Sequence, residues 1–422
     1  MSFVARHALL YTLSNIAVAG VSLLLMPVLT RLLGPAEYGM LAVFTSVQAG
    51  LATIVGLTAH AAASRRWADG DREAMPGYVG AAAVVVLASA LAMLLAVLLV
   101  PDALLERLVI PRTWLLAAWL AVTASSVLAL RMSLWQIQAN AVRYALMQFG
   151  IALGNAGLTL WLVLAGAGAD GRVSAVVVVS VLAAVVAVVS LLRDGLLTFR
   201  VQRSDVRDVL VFGVPLLPHM IGLYLLASTD RALVAGMAGI EAAGFYFVAL
   251  QVASVIGMLG DAANRAWTPW LYAQLGSADE ATRRRVVRTT WLAFSAALLL
   301  ALGISLAASW LVPLLAGSGY VVAVPVVGWL ALQQAFMCMY LGVTNYVFFA
   351  RRTGALSLVT IVSGLCGVLL MLWLVPAHGI IGAAVAAAVA AALRFVLTFL
   401  LAARCVPMPW WSALHVAPEV TR

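Results

Sequence analysis

The chain has 422 residues, of which 65% are hydrophobic and 10% charged. A water-soluble domain carries roughly 25% charged residues, so this composition excludes a soluble enzyme or adaptor with a polar shell. The net charge of +9 does not point to nucleic acid, because all 25 basic residues are Arg and they are spread loop by loop rather than gathered in one patch.

Apolar runs of more than about 18 residues recur from end to end, the signature of transmembrane helices. They place twelve spans near 8–30, 40–63, 78–100, 114–138, 144–166, 173–192, 209–229, 243–269, 289–312, 321–349, 355–375 and 380–403. The first run is too long for a cleaved signal peptide, and Arg31 follows it where a small-residue cleavage site would stand. Within it Thr12, Asn15 and Ser22 share a helix face, as packing glue between helices does. "RLLGPAEYGML" then forms a polar elbow before the second span. In the fourth span Arg131 and Gln138 share a face. The seventh, "VPLLPHMIGLY", sets Pro215 and Pro218 around His219, and two prolines so spaced predict a kinked or unwound helix.

The eighth span is the most informative. Gln251, Ser254, Met258, Asp261 and Arg265 recur at helical spacing on one face, with Asn264 beside them. A charge at mid-bilayer costs about 2.5–3.5 kcal/mol or more, so it faces protein or water. Asp261 and Arg265 form an i,i+4 pair. It reads either as a structural tie or as part of a polar wall around a water-filled cavity.

Assigning alternate loops to two sides puts 17 Arg on the side of both termini, 5 on the other, and 3 (Arg131, Arg265, Arg394) inside spans. By the positive-inside rule both termini are cytoplasmic. Cys338, Cys366 and Cys405 have no metal spacing and read as small apolar fillers. Without Lys the chain has no P-loop of the ATPase type. "DGD" at Asp69 to Asp71 sits in too short a connection for a nucleotide-sugar domain. The sequence thus offers no catalytic residues, no cofactor and no metal site.

The elbow occurs twice. A shift of 205 lays Gly34 on Gly239, Gly39 on Gly244 and His60 on Arg265. "GNAGLTLWLV" and "GLCGVLLMLWLV" echo each other further along. Six spans per half make parallel repeats: a lobe at 1–192, a linker at 193–208, and a second lobe with a short tail at 209–422. Glycine permits a tight or positive-φ turn, which predicts turns at the repeated elbow glycines.

The elbow, "QANAVRY", "GVPLLPHMIGLYLLASTDRALV" and "GIEAAGFYFVALQVASVIGMLGDAANRAWTPWLY" resemble the bacterial O-antigen and exopolysaccharide flippases of the multidrug/oligosaccharidyl-lipid/polysaccharide exporter superfamily. The resemblance covers nearly the whole chain. It implies an all-α, V-shaped, alternating-access transporter of twelve helices in the bacterial cytoplasmic membrane. Its cargo would be an oligosaccharide on undecaprenyl diphosphate, moved from the inner to the outer leaflet for polysaccharide biosynthesis. Membrane lipids, a polysaccharide polymerase and glycosyltransferases would be partners, and a proton or sodium ion would couple transport. Arg31, Arg131 and Arg265 match the cavity cations that hold diphosphate or acidic sugars, since guanidinium offers a bidentate fork. His60, Asn264 and Gln251 complete the substrate set, with Asp261 and His219 as coupling or tuning groups. Alternatives are a multidrug cation antiporter of the same superfamily, a peptidoglycan-precursor flippase, a membrane glycosyltransferase, and a non-transporting scaffold of a glycan assembly complex.

Overall fold

A computed structural model describes residues 23–198, 200–275, 279–350 and 352–410, together with Val18, Gly20 and Val21. Thr12, Asn15 and Ser22 lie outside the described residues. Among the described residues all regular structure is helical. In chain order the helices are α1 (Leu23–Leu32), α2 (Pro35–Ile54), α3 (Ala59–Ala68), α4 (Met75–Leu98), α5 (Asp102–Leu108), α6 (Arg112–Ile137), α7 (Ala141–Leu162) and α8 (Gly168–Arg193). They continue with α9 (Arg203–Gly213), α10 (Leu217–Ala227), α11 (Thr229–Ala238), α12 (Ile240–Leu275), α13 (Glu280–Ala316), α14 (Val324–Phe349) and α15 (Thr353–Cys405).

By length and composition, eight described helical stretches can cross a membrane, or nine if the bent pair α2 and α3 counts as one span. This is a multi-spanning all-α membrane protein. Local sequence sets several helix ends. Pro35 opens α2, where a missing N–H costs nothing. Asn140 caps α7 by accepting the Arg143 N–H at 3.4 Å. Glu37 accepts the Ala169 N–H at 3.1 Å, placing a carboxylate on the positive end of α8. Between α9 and α10 the chain tightens into a 3-10 turn at Val214–Leu216, where Pro215 interrupts the helix. The continuous stretches Ala141–Arg193 and Gly354–Cys405 break at Gly166 (φ 89°) and Gly379 (φ 55°).

The chain divides into two compact units. The first runs to Phe247 and includes 315–317; the second holds 248–314 and the chain from Ser318. In the first, α6 is central and packs on α2, α3, α4 and α8. Small residues on α3 (Ala59, Ala62, Ala63) let it lie close to Tyr78, Val86 and Leu130. After α8 the chain is tied down at Thr198, whose N–H bonds the Pro76 carbonyl at 3.2 Å, and α9 packs on α3 and α4. In the second unit α14 lies along α15, and Trp291, Phe294, Phe395, Phe399 and Trp410 form a chain of ring contacts 4.9–6.1 Å apart.

The elbow glycines do not all turn the chain. Gly34 is extended at φ −67° and Gly239 is left-handed at φ 98°. Gly39 and Gly244 lie inside α2 and α12, so a turn does not explain them.

Candidate functional site

The second helix breaks where the sequence reads "TIVGLTAH". Gly56, Leu57 and Thr58 are consecutively left-handed, at φ 87°, 43° and 52°, and α3 leaves α2 at a bend of 47°. For Leu57 and Thr58 this conformation costs roughly 1–2 kcal/mol each. Distant residues hold it. The Gly56 N–H donates to Ser89 Oγ at 2.9 Å, and Ser126 Oγ donates to the Val55 carbonyl at 3.4 Å. Strain held by tertiary partners is common at functional sites.

A cavity of about 410 Å³ opens at this break. Gln48, Thr58, His60, Ser125 and Ser126 supply its polar lining, and Val55, Val86 and Val122 its apolar part. His60 is exposed, and its carbonyl accepts from Ser133 Oγ at 3.2 Å. Its lining is mostly apolar and carries no Arg, Asp or Glu, with side-chain donors and acceptors at Gln48, Thr58, His60, Ser125 and Ser126.

The second unit carries its own site on α12. Gln251, Ser254, Met258, Asp261 and Arg265 form a partly or fully open stripe, while Val252, Ala253 and Ile256 are buried. Arg265 donates Nε and Nη2 to one oxygen of Asp261, at 3.0 and 2.7 Å, and both side chains are about half exposed. Asn264 Oδ1 accepts from Asn345 Nδ2 at 2.8 Å, which fixes the Asn264 amide. Beside them lies a largely apolar cavity of about 310 Å³, lined by Ile256, Leu259, Gly260, Asn264, Phe294 and Cys338 among others. At the 205 shift Val55 and Thr58 of the first cavity correspond to Gly260 and Ala263 of this one. Both cavities thus lie beside the stretches of α2 and α12 that this shift pairs, and each is lined mostly by apolar side chains.

The remaining expected residues sit apart from these cavities. Arg31 is exposed on α1 and donates to the Pro27 carbonyl at 2.8 Å. His219 is half-buried in α10. Arg131 has no exposed surface. It donates Nε to Ser190 Oγ at 2.9 Å, pairs with Asp194, and lies over the Trp135 ring at 4.6 Å. Arg143 joins the same carboxylate at 3.1 Å, so α6, α7 and the end of α8 meet there. Arg131 faces packed protein rather than a cavity.

Two arrangements escaped the sequence reading. Buried Asp230 accepts from Tyr246 Oη at 2.8 Å and from the Arg231 N–H at 2.9 Å. Buried Arg394 stacks on Tyr340 at 3.6 Å and touches the Met337 sulfur. An acid so close to an Arg in "TDR" was a usable signal for the first; nothing local signals the second. Among the described residues, no group of three or more His, Cys, Asp or Glu could hold a metal ion.

The sequence profile of the family described as polysaccharide biosynthesis protein matches residues 4–275. The fold aligns with an inward-facing multidrug resistance MATE family transporter of the MOP superfamily at a TM-score of 0.68 and 15% identity, over 94% of this chain and 98% of that one. It aligns with the lipid II flippase MurJ, in an inward closed conformation, at 0.67 and 12%, over 93% and 87%. A Vibrio cholerae MATE transporter aligns at 0.56 and 16%, over 96% and 98%. No curated protein matches the chain. At such identities the likeness is one of fold, and the fold is that of MOP-superfamily transporters. These relatives are carriers and not enzymes.

Proposed function

Because the chain belongs to the polysaccharide biosynthesis protein family, we propose that it carries a lipid-linked oligosaccharide from the inner to the outer leaflet of the bacterial cytoplasmic membrane. The family match over residues 4–275 carries this reading. If α1 is a span and the stretches broken at Gly166 and Gly379 are two spans each, the nine become twelve. Twelve suit two six-helix lobes, 1–192 and 209–422, joined by 193–208, with both termini cytoplasmic. The lipid tail stays in the bilayer while the head crosses through a wet path, which removes the cost of burying sugars and phosphate in hydrocarbon. His60 and Gln48 in the first unit, and Arg265, Asn264 and Gln251 in the second, offer groups for that head, with Arg31 at the outer elbow.

Arg265 is the cation best suited to a diphosphate or an acidic sugar. Its pairing with Asp261 is half exposed, and an i,i+4 pair of this kind is worth about 0.3–0.5 kcal/mol. An anionic cargo therefore takes the Arg265 fork from Asp261 at little cost. Arg131 has no such role in this reading, since it is spent on Asp194.

The second reading is export of a cationic small molecule, and the structural matches back it better than they back the glycan. The MATE transporter aligns over nearly the whole of both chains. Its requirement is an accessible acid, and half-exposed Asp261 is the one it would use. Purified protein in liposomes separates the two readings. The probes are a radiolabelled polyprenyl-diphosphate disaccharide, scored by access of an impermeant oxidant, and ethidium efflux under an imposed proton or sodium gradient. The glycan lipid is expected to cross and ethidium to stay. Ethidium efflux without glycan-lipid movement would overturn the proposal in favour of the second reading.

A further inference from the structure

The twice-written elbow has a structural reason that a turn does not supply. Gly39 lies one turn into α2 and Gly244 one turn into α12. A Cβ on Gly39 would run into the carbonyl oxygen of Ile240, and a Cβ on Gly244 into the carbonyl oxygen of Pro35. Pro35 and Ile240 are themselves related by the repeat shift of 205. The contact is therefore reciprocal: each repeat presses the same glycine onto the same carbonyl of the other. The amides repeat the pattern, with Gly244 N 3.0 Å from the Cβ position of Gly39 and Gly39 N 3.1 Å from that of Gly244. Only glycine allows two helix backbones this close, where Cα–H groups meet carbonyl oxygens.

The same face of α2 continues the contact inward. Ser46 Oγ bonds the Ser228 carbonyl, and Gly50 leaves room for the Tyr224 ring, 3.1 Å from its Cβ position. Residues 39, 46 and 50 fall at helical spacing, so α2 meets the second repeat along one line. The charge asymmetry of the loops puts the elbow end of that line at the outer membrane surface.

We propose that this line is the outer gate of the carrier, shut in this structure and parting at Gly39 and Gly244 when the cargo is released outward. Three features suit a contact that must open. Single Cα–H···O contacts are weaker than a backbone N–H···O bond. Both helices begin beside short elbows, Gly34 and left-handed Gly239, about which their ends can pivot. At the two glycines the packing is backbone on backbone, so that part of the line closes and reopens with no rotamer to reset. The proposal rests on the transporter reading but not on the identity of the cargo.

The test needs no cargo. Full-length protein with Cys338, Cys366 and Cys405 replaced by Ala carries Ser46→Cys as reporter. Its labelling by a membrane-impermeant maleimide is followed in right-side-out and inverted vesicles. Gly39→Val and Gly244→Val each wedge the gate and are expected to speed labelling from the outside by about tenfold, and equally, because the contact is reciprocal. Gly150→Val is expected to change nothing, since Gly150 lies in α7 outside this line and a Cβ there meets nothing within 4 Å. Unchanged labelling in monodisperse Gly39→Val and Gly244→Val would make the contact static packing and overturn the proposal. So would a rise seen only from the cytoplasmic side, or loss of folded protein in the milder Gly39→Ala and Gly244→Ala alike. Intact gating in a protein that moves no glycan lipid would sink the cargo reading alone.

Discussion

Asp194→Ala strands Arg131. The guanidinium has no exposed surface, and without the carboxylate it keeps only the Ser190 hydroxyl and the Trp135 ring. Removing one partner of a buried ion pair costs about 3–5 kcal/mol. Two features favour the lower end: Asp194 is itself about a third exposed, and a cation over an aromatic ring retains roughly 1 kcal/mol. The expected loss is therefore about 3 kcal/mol, two powers of ten in the folded-to-unfolded ratio. The assay is denaturant unfolding of detergent-solubilised protein, followed by tryptophan fluorescence. Replacing both partners with apolar residues removes the charge and its need together, which is often nearly neutral. Arg131→Leu with Asp194→Leu should therefore recover most of the stability and, since Arg131 faces packed protein, retain transport. Asp194→Ala within about 0.5 kcal/mol of the parent, or a double variant no better than the single one, would refute the reasoning. A stable double variant without transport would return Arg131 to the cargo path.

Other outcomes follow from the same geometry. Gly56→Ala adds a Cβ at φ 87°, 3.2 Å from Ser126, and should lower stability by about 1–3 kcal/mol; a melting temperature equal to the parent's would show that the break relaxes freely. Arg265→Ala should abolish cargo movement while the protein inserts normally, and Asp261→Asn should do less; normal movement with Arg265→Ala would remove that residue from the mechanism. Asp279 caps α13 by accepting from Thr282 Oγ1 at 2.8 Å and from the Thr282 N–H at 3.0 Å, which holds its carboxyl below the ordinary value. Its folded pKa is depressed, so its stabilisation is full above the unfolded value near about pH 4 and fades as pH falls through the folded one. The melting-temperature gap between parent and Asp279→Ala should therefore be constant from pH 7 to 5 and close in stronger acid; a gap that widened in acid would reverse the sign argument.

The apolar runs carried the fold because lipid demands satisfied backbone groups, and a long apolar sequence has few other ways to satisfy them. The α12 stripe was legible for a related reason: residues three and four apart must share a face. Other features were not legible. The break at 55–58 has a single glycine and β-branched neighbours. It forms because Ser89, Ser126 and the close passage of Gly213 past the Leu57 carbonyl complete it from elsewhere. Arg131 looked available because its partner is 63 residues away. The stretch at 193–208 read as a linker from its charges, yet Asp194 there closes an ion cluster and Thr198 docks on the start of α4. Local pattern gave the elements and faces; long-range polar partners decided which charges were committed.

That last distinction orders the intramembrane arginines. A guanidinium in a low-dielectric interior needs permanent compensation, and Arg131 has it in Asp194. Arg394 is buried on the Tyr340 face, where the ring quadrupole supplies part of the compensation without a carboxylate. Neither can be given up to a passing anion without first being replaced in its packing. Arg265 is different. Its partner is on its own helix and both are half exposed, so neither is locked in packing and the pair moves as one body with α12. A carrier of the anionic headgroup proposed above would need a cation that can exchange partners at each cycle at a cost near thermal energy. By exposure and by partner, Arg265 meets that condition and Arg131 does not, although composition and position made them look alike.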